Sequence, residues 1–495
     1  MPSKQPAICV SVLPSNLTDL REKLASCQDA DMVEIRLDKS KRLDLEKIEF
    51  DKPVIATLRS KAEGGFWQGT SAKYTAVAQA AINAGAAYVD IEYQMAAEVL
   101  PELKRKKCGI VLSCHTSENS PEALEQLLRN MSEVKADVYK LIFTAESEQD
   151  NLTVLELIKF ARQLNINYVI HAMGEAGRLS RLLGAARGNA WTYTAREFTE
   201  ETAPGQLSAF ESKNHFFLDE KSADTNILGL LGYPLVQSKG WRLHNLLIHK
   251  HLGETTTEKA DSYLYVNFPA EDGKEFWDSW SPHLHGLSVT IPHKETIIPF
   301  LDEASNEVKI SGVCNTVVRT ANGWTGHNTD FIAIEALLRP YREVLGDGGV
   351  IIGTGATARS AIAALKRLNV NPVFVVGRNH ERGKMLVETM GIDFLKEDEI
   401  HYANTSCVIQ TTPVGMFPYV DKYPVGTSLF RKGRVVLDVV YNPVETKYLK
   451  IAKDRGCTTI SGAEMFVLQA ARQFELFTGQ PISTEDVEKV WQEIT

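Results

Sequence analysis

Residues 138–143 read VYKLIF, a β-branched and aromatic run with one lysine, Lys140, at its centre. Six residues of this composition make a buried strand; a helix would need about ten or more. Comparable runs recur on either side at roughly 20 to 30 residue intervals. They lie at 8–12, 32–37, 53–58, 87–91 and 109–113 before it, and at 167–172 and 190–194 after it. Helix-like segments fall between them, as at 71–84 and at 121–131, where Ser120 is placed to cap and Pro121 to open the first turn. Strands alternating with helices over residues 1–220 predict a (β/α)8 barrel, the competing arrangement being an open doubly wound sheet.

The chain has 495 residues, too many for one ordinary core. Its 44% hydrophobic and 24% charged content is that of a globular protein. The formal charge of −9 argues against a nucleic-acid partner, which would favour a basic face, and leaves small anionic substrates open. The apolar runs are too short for a membrane span, and the first residues lack the pattern of a cleaved signal. Seven cysteines occur singly, with no C-x-x-C, which fits reduced thiols and a cytoplasmic location. His293 and His327 have no ligand-like spacing, so no metal is expected.

In a barrel, functional side chains gather at the carboxyl ends of the strands. Those ends carry Glu34 and Arg36, Arg59, His115, Met173 and Arg181, and Thr202 with Gln206. A lone lysine commonly snorkels to solvent. An inner strand gives Lys140 little route to water, and a desolvated amine becomes a nucleophile able to form an imine with a ketone. His115 would move a proton beside that imine, and Arg59 and Arg181 would hold a carboxylate bidentately.

These motifs, VEIRLD, TLRSKAEGG, SCH, YK, MGEAGRLSR and TAPGQ, together resemble type I 3-dehydroquinate dehydratase across residues 5–220. The resemblance implies a Schiff base between Lys140 and the C3 ketone of 3-dehydroquinate. His115 would take the C2 proton and then protonate the departing hydroxyl, with Glu63 orienting it. Glu34, Arg36, Arg59, Arg181, Thr202 and Gln206 would bind the substrate. Cys114 stands where that family has a tyrosine-like residue.

A polar stretch at 218–226, LDEKSADTN, marks a boundary. Further strands follow at 263–268 and 286–291. Then GVIIGTGATARSAIAALKRL, residues 349–368, joins a strand, a glycine turn and a helix. Gly353, Gly355 and Ala358 match the dinucleotide fingerprint, with Ala356 opening the helix that follows the turn. The next strand ends in Gly377, Arg378 and Asn379, with Arg382 beyond, where an NAD site usually places an acid. Two guanidinium groups suit the 2′-phosphate of NADP, against the plainer reading of a solvated helix start. Lys294 and Asp330 make a proton-shuttling pair, or a surface ion pair of little weight.

The motifs GYPLVQS, SVTIPHK, CNT, GHNTD, GTGAT, GRNHER, TTPVGM, DVVYNPVET and GAEMFVLQAA resemble shikimate dehydrogenase over residues 226–495. The resemblance implies NADP as cofactor and Lys294 with Asp330 as the catalytic pair for reducing 3-dehydroshikimate to shikimate. Ser238, Thr290, Asn315, Tyr441 and Gln469 would contact the substrate, and Val439 and Gly462 would lie beside the nicotinamide. The family's S-x-S becomes Ser238, Lys239, Gly240 here, which opens quinate as a further substrate. Trp241 replaces a proline, and Phe331 stands where glycine is common. The expected architecture is α/β throughout: a barrel at 1–220, a substrate lobe at 226–330 completed by 462–495, and a Rossmann-type domain at 331–461. The expected partners are small molecules. A ligand-sensing regulator derived from these enzymes is the contrasting reading, and Lys140, His115, Lys294 and Asp330 weigh against it.

Overall fold

The structure, a computed structural model, describes residues 5–40, 43–105, 107–196, 205–235, 238–252 and 262–495. The chain divides into two compact units, Met1–Ile227 with Ile248–Leu264, and Leu228–Leu247 with Tyr265–Thr495.

The first unit is built on β1 (Ala7–Val12), β2 (Met32–Arg36), β3 (Val54–Thr57), β4 (Tyr88–Glu92), β5 (Gly109–Thr116), β6 (Val138–Thr144), β7 (Tyr168–Met173) and β8 (Trp191–Thr194). Their order is β7-β6-β5-β4-β3-β2-β1-β8. Each pairing in that order is parallel, as crossover helices require. Ala190 N donates to Tyr168 O at 2.9 Å, just ahead of β8, and carries the ring across to β7. The result is a nearly closed barrel, not an open sheet. The expected helices form at Ser71–Asn83 and Pro121–Ser132, and Ser120 Oγ accepts from Ala123 N at 3.3 Å as the cap. Between β2 and β3 the described residues hold only a 3-10 turn, Leu45–Lys47.

Side chains on a strand alternate between the barrel interior and the helix layer. An apolar layer that includes Cys9, Met32, Ile55, Val111, Val138 and Val169 plugs the floor. Two residues further along each strand, the next interior layer is polar: Ser11, Glu34, Thr57, Ser113, Lys140 and His171, with Asp90 from β4, all buried. A further step of two reaches Arg36, Arg59, Glu92, His115 and Met173. Glu34, Arg36 and His115 therefore lie within their strands, not after them, since β5 runs on to Thr116. The polar stretch at 218–226 is also less free than its composition implies. Leu218 and Lys221 are buried, and Arg162 Nη2 donates to Ala223 O at 2.8 Å.

The second unit contains two sheets. One comprises β9 (Asn226–Gly232), β10 (Tyr263–Pro269), β11 (Gly286–Val289), β12 (Glu303–Ala304), β13 (Thr316–Thr320) and β14 (Gly323–His327), in the order β10-β9-β11-β13-β14-β12. β13 runs antiparallel to both β11 and β14. The other comprises β15 (Gly349–Ile352), β16 (Val373–Val376), β17 (Asp393–Leu395), β18 (Cys407–Gln410), β19 (Val435–Asp438) and β20 (Thr458–Ile460). Its order, β17-β16-β15-β18-β19-β20, is the doubly wound dinucleotide-binding arrangement, with the switch point between β15 and β18. Helices Thr329–Leu338, Ala356–Arg367 and Gly462–Thr478 pack over it through an apolar cluster. Phe331 is wholly buried in that cluster, so a large ring fills the space beside Asp330. The helix Gly462–Thr478 then returns to the first sheet. Gln473 Oε1 accepts from Ser288 Oγ (3.0 Å), and its Nε2 donates to Thr316 Oγ1 (2.9 Å) and Asn315 O (3.3 Å).

Candidate active sites

The polar layer of the barrel opens into a pocket lined by Glu34, Arg36, Arg59, His115, Lys140, Arg181 and Gln206, together with Ser11, Ile142, His171, Met173 and Tyr193. Eight residues singled out in the sequence, Met173 among them, thus share one cavity, and Glu63 stands directly behind His115. Thr202 lies outside the described residues.

Lys140 is 4% exposed, as its place on an inner strand requires. Its Nζ lies 3.2 Å from Glu34 Oε1, 3.4 Å from Asp90 Oδ2 and 4.1 Å from the centre of the Tyr193 ring. Positive charge on that nitrogen is therefore met by two carboxylates and an aromatic face. Ser11 Oγ and Thr57 Oγ1 donate to Glu34 at 2.6 and 2.9 Å. Burial penalises the Glu34 anion, yet Lys140, Arg36, the Ser11 hydroxyl and Arg59 together hold its pKa down to about 2.

Arg59 is the hub beneath His115. Its guanidinium donates to Glu63 (2.8 Å), Asp90 (2.8 Å), Glu92 (3.1 Å) and Ser113 Oγ (3.0 Å). Four buried charges are tolerable because each is paired. This arginine, expected to meet the substrate, lines the pocket and also ties β3, β4 and β5 together. Glu63 Oε2 also accepts from the His115 backbone N and faces its Nδ1, both at 3.0 Å. Burial, less the opposing pull of Arg59 and with added push from Glu92 and Asp90, raises Glu63 to about 7. Burial, then Arg59 and Lys140, hold His115 well below 6.5, so its imidazole is neutral and able to accept a proton. Arg36 forms a two-point pair with Asp38, both contacts at 2.8 Å.

Asp90, Glu92, His171 and Tyr193 were not singled out in the sequence. His171 lies two residues before Met173 on β7, so period-two counting finds it; Asp90 and Glu92 on β4 and Tyr193 on β8 lie on strands where no residue drew notice.

In the second unit, Lys294 Nζ lies 2.6 Å from Asp330 Oδ2, with both side chains largely buried. Lys294 follows β11, and Asp330 sits in the first turn of Thr329–Leu338, whose cap Asn328 accepts from Phe331 N at 3.0 Å. Asn315 is fixed by Thr329: Oδ1 accepts from its N (2.8 Å) and Nδ2 donates to its Oγ1 (2.9 Å). Gln469 Oε1 is 3.4 Å from the same hydroxyl. Tyr441 stacks on Phe466 at 4.8 Å. Ser238 Oγ accepts from Gly240 N at 3.3 Å, and Thr290 follows β11 directly.

At the glycine turn, Gly353 has φ +123°, and a Cβ there would meet Thr411 Oγ1 at 2.4 Å. A Cβ on Gly355, the N-cap of Ala356–Arg367, would meet nothing within 4 Å. That gap lies over free N–H groups at a helix N-terminus, where a pyrophosphate fits. Arg378 and Arg382 are exposed beyond β16, and Asn379 Oδ1 caps the next helix by accepting from Arg382 N at 3.0 Å. A Cβ on Gly462 would strike Val440 O at 2.4 Å, so glycine lets this helix start press against the end of β19 beside Val439. The residues present fit NADP.

A profile of the type I 3-dehydroquinase family matches residues 8–223. Profiles of the shikimate dehydrogenase substrate binding domain and of the shikimate 5′-dehydrogenase C-terminal domain match 230–317 and 462–490. A chloroplastic bifunctional 3-dehydroquinate dehydratase/shikimate dehydrogenase of Arabidopsis thaliana is 29% identical over 97% of this chain and 83% of its own. An NADP-dependent shikimate dehydrogenase of Crocosphaera subtropica is 33% identical over 52% of this chain and 93% of its own. Among solved structures, the dehydroquinate dehydratase and shikimate dehydrogenase of S. pombe aligns over 99% of this chain and 98% of its own, at 22% identity and a TM-score of 0.43.

Proposed function

The chain belongs to the type I 3-dehydroquinate dehydratase and shikimate dehydrogenase families, joined as a bifunctional enzyme, and from that premise we propose that it dehydrates 3-dehydroquinate and reduces the product to shikimate with NADPH. The observation that carries the first half is a buried Lys140 sharing its pocket with a neutral His115. Lys140 Nζ bonds to C3 of the substrate as the ketone oxygen leaves as water, giving an iminium held between Glu34 and Asp90. His115 takes the C2 proton, the electron pair flows toward the iminium, and the C1 hydroxyl departs with a proton returned by His115. Water then releases 3-dehydroshikimate and restores the amine. Glu63 orients the imidazole. Arg181, Arg36 and Gln206 take the substrate's carboxylate and hydroxyls, with Thr202 assigned to the same task. Arg59, which lines the same pocket, shares in that binding and also fixes Glu63 and Asp90.

In the second half, Lys294 gives a proton to the ketone oxygen of 3-dehydroshikimate, and Asp330 holds the ammonium in place. NADPH, when bound, supplies the hydride. Ser238, Thr290, Asn315, Tyr441 and Gln469 orient the substrate. Gly353, Gly355 and Ala356 receive the pyrophosphate, Arg378, Asn379 and Arg382 the adenosine phosphate, and Val439 and Gly462 border the nicotinamide. The domain limits 1–220, 226–330 with 462–495, and 331–461 follow from this division of labour.

Seven buried cysteines, none joined in a disulfide, support a reducing, cytoplasmic setting, and no helix among the described residues is long and apolar enough to cross a membrane. The net charge of −9 supports small-molecule partners and no nucleic acid. Borohydride reduction in the presence of 3-dehydroquinate, followed by peptide mapping, tests the reading. Adduct on Lys140 is expected, and adduct elsewhere would overturn the imine assignment.

A further inference from the structure

The polar layer holds a second imidazole that the mechanism leaves unused. His171 sits on β7 and is 5% exposed. Its register partner on β6, Ile142, pairs on the other side with His115, so the two histidines flank one residue above Lys140. Its Nε2 lies 3.0 Å from Nη1 of Arg181, which reaches inward from Arg178–Ala185 and is itself 2% exposed. Arginine has only donors, so at this contact the imidazole accepts.

We propose that His171 is a positioning residue that sets the Arg181 guanidinium to receive the carboxylate of the barrel's substrate. The inference rests on the dehydratase reading given above.

The choice of acceptor carries the argument. Arg59 is met by three carboxylates and Arg36 by Asp38, and such partners cancel the charge they orient. A carboxylate at position 171 would compete with the substrate's own. A neutral imidazole fixes one corner of a planar fork, and so its direction, without itself adding negative charge beside it. The groups facing His171 keep it neutral. Arg181 approaches from the helix, Lys140 from β6, His115 from β5 and the Tyr193 ring, 6.2 Å away, from β8. Burial, then Arg181 and Lys140, hold its pKa well below 6.5.

Two substitutions in the full chain test this. Gln places its amide oxygen near the position of Nε2, whereas Asn reproduces only the reach of Nδ1. For His171→Asn, the KM for 3-dehydroquinate is expected to rise about tenfold, as for loss of one charge-assisted contact, with kcat within about threefold. For His171→Gln, KM is expected within about threefold of the unaltered enzyme. Equal KM values in the two variants, or a fall in kcat at constant KM, would overturn the positioning role. Borohydride trapping separates this from the larger reading. A Lys140 adduct in both variants with matching KM values refutes only the role of His171, whereas no Lys140 adduct in the unaltered chain refutes the imine mechanism itself.

Discussion

Lys294 Nζ and Asp330 Oδ2 meet at 2.6 Å, although one follows β11 and the other opens a helix 36 residues later. Both side chains are largely buried, so the contact differs from an exposed ion pair of negligible weight.

Replacing that lysine tests the reductase half. Lys294→Ala removes the proton donor and is expected to lower turnover about a hundredfold or more, the usual scale for a positioned acid. NADPH affinity, followed by nucleotide fluorescence, should stay within about twofold. Near-normal turnover would end the assignment.

The barrel has its own signature in pH. Glu63, raised to about 7, is protonated below that pH and loses the charge that orients the His115 Nδ1–H. Dehydratase kcat/KM should therefore climb as pH rises through about 7 and level off above it. Glu63→Gln, neutral at every pH, should lower the plateau and abolish that limb. An unchanged limb would locate the titration in another group.

Cofactor choice is tested beyond β16. Arg378→Ala with Arg382→Ala should raise the KM for NADPH about tenfold and leave that for NADH nearly unchanged, since only the former carries the 2′-phosphate. Equal effects on both would place the arginines outside nucleotide recognition.

Substrate choice is tested at Gly240. A Cβ there would lie 3.5 Å from Ser238 Oγ, an ordinary contact, so Gly240→Ser fits without strain. The restored hydroxyl is expected to shift the ratio of shikimate to quinate oxidation about tenfold toward shikimate, the worth of one polar contact. If the unaltered enzyme oxidises no quinate, Gly240 makes no room for the extra hydroxyl.

Much of this was legible in the sequence for identifiable reasons. Runs of β-branched residues mark parallel strands because both faces are buried. The glycine turn is local, and one fingerprint finds it. Lys140 stood out as the one cation in an apolar run. Asp90, Glu92 and His171 did not, because attention fell on strand ends, not on the layer one step inside. The cations that make Asp90 tolerable in the interior, Arg59 and Lys140, lie 31 and 50 residues away. Folding brings them together, and no local pattern announces it. Among the described residues between β2 and β3 only a short turn stands where a barrel expectation supplies a helix whether or not the residues do.

The reach of Gln473 back to Ser288, Thr316 and the Asn315 carbonyl orders events during synthesis. A chain emerging from the ribosome can complete its barrel early, since those eight strands are contiguous. The mixed sheet cannot: three of its polar groups wait for a partner made more than 150 residues later. One catalyst can thus mature while the other is still open, and the slower half is the one exposed to proteases and to premature termination.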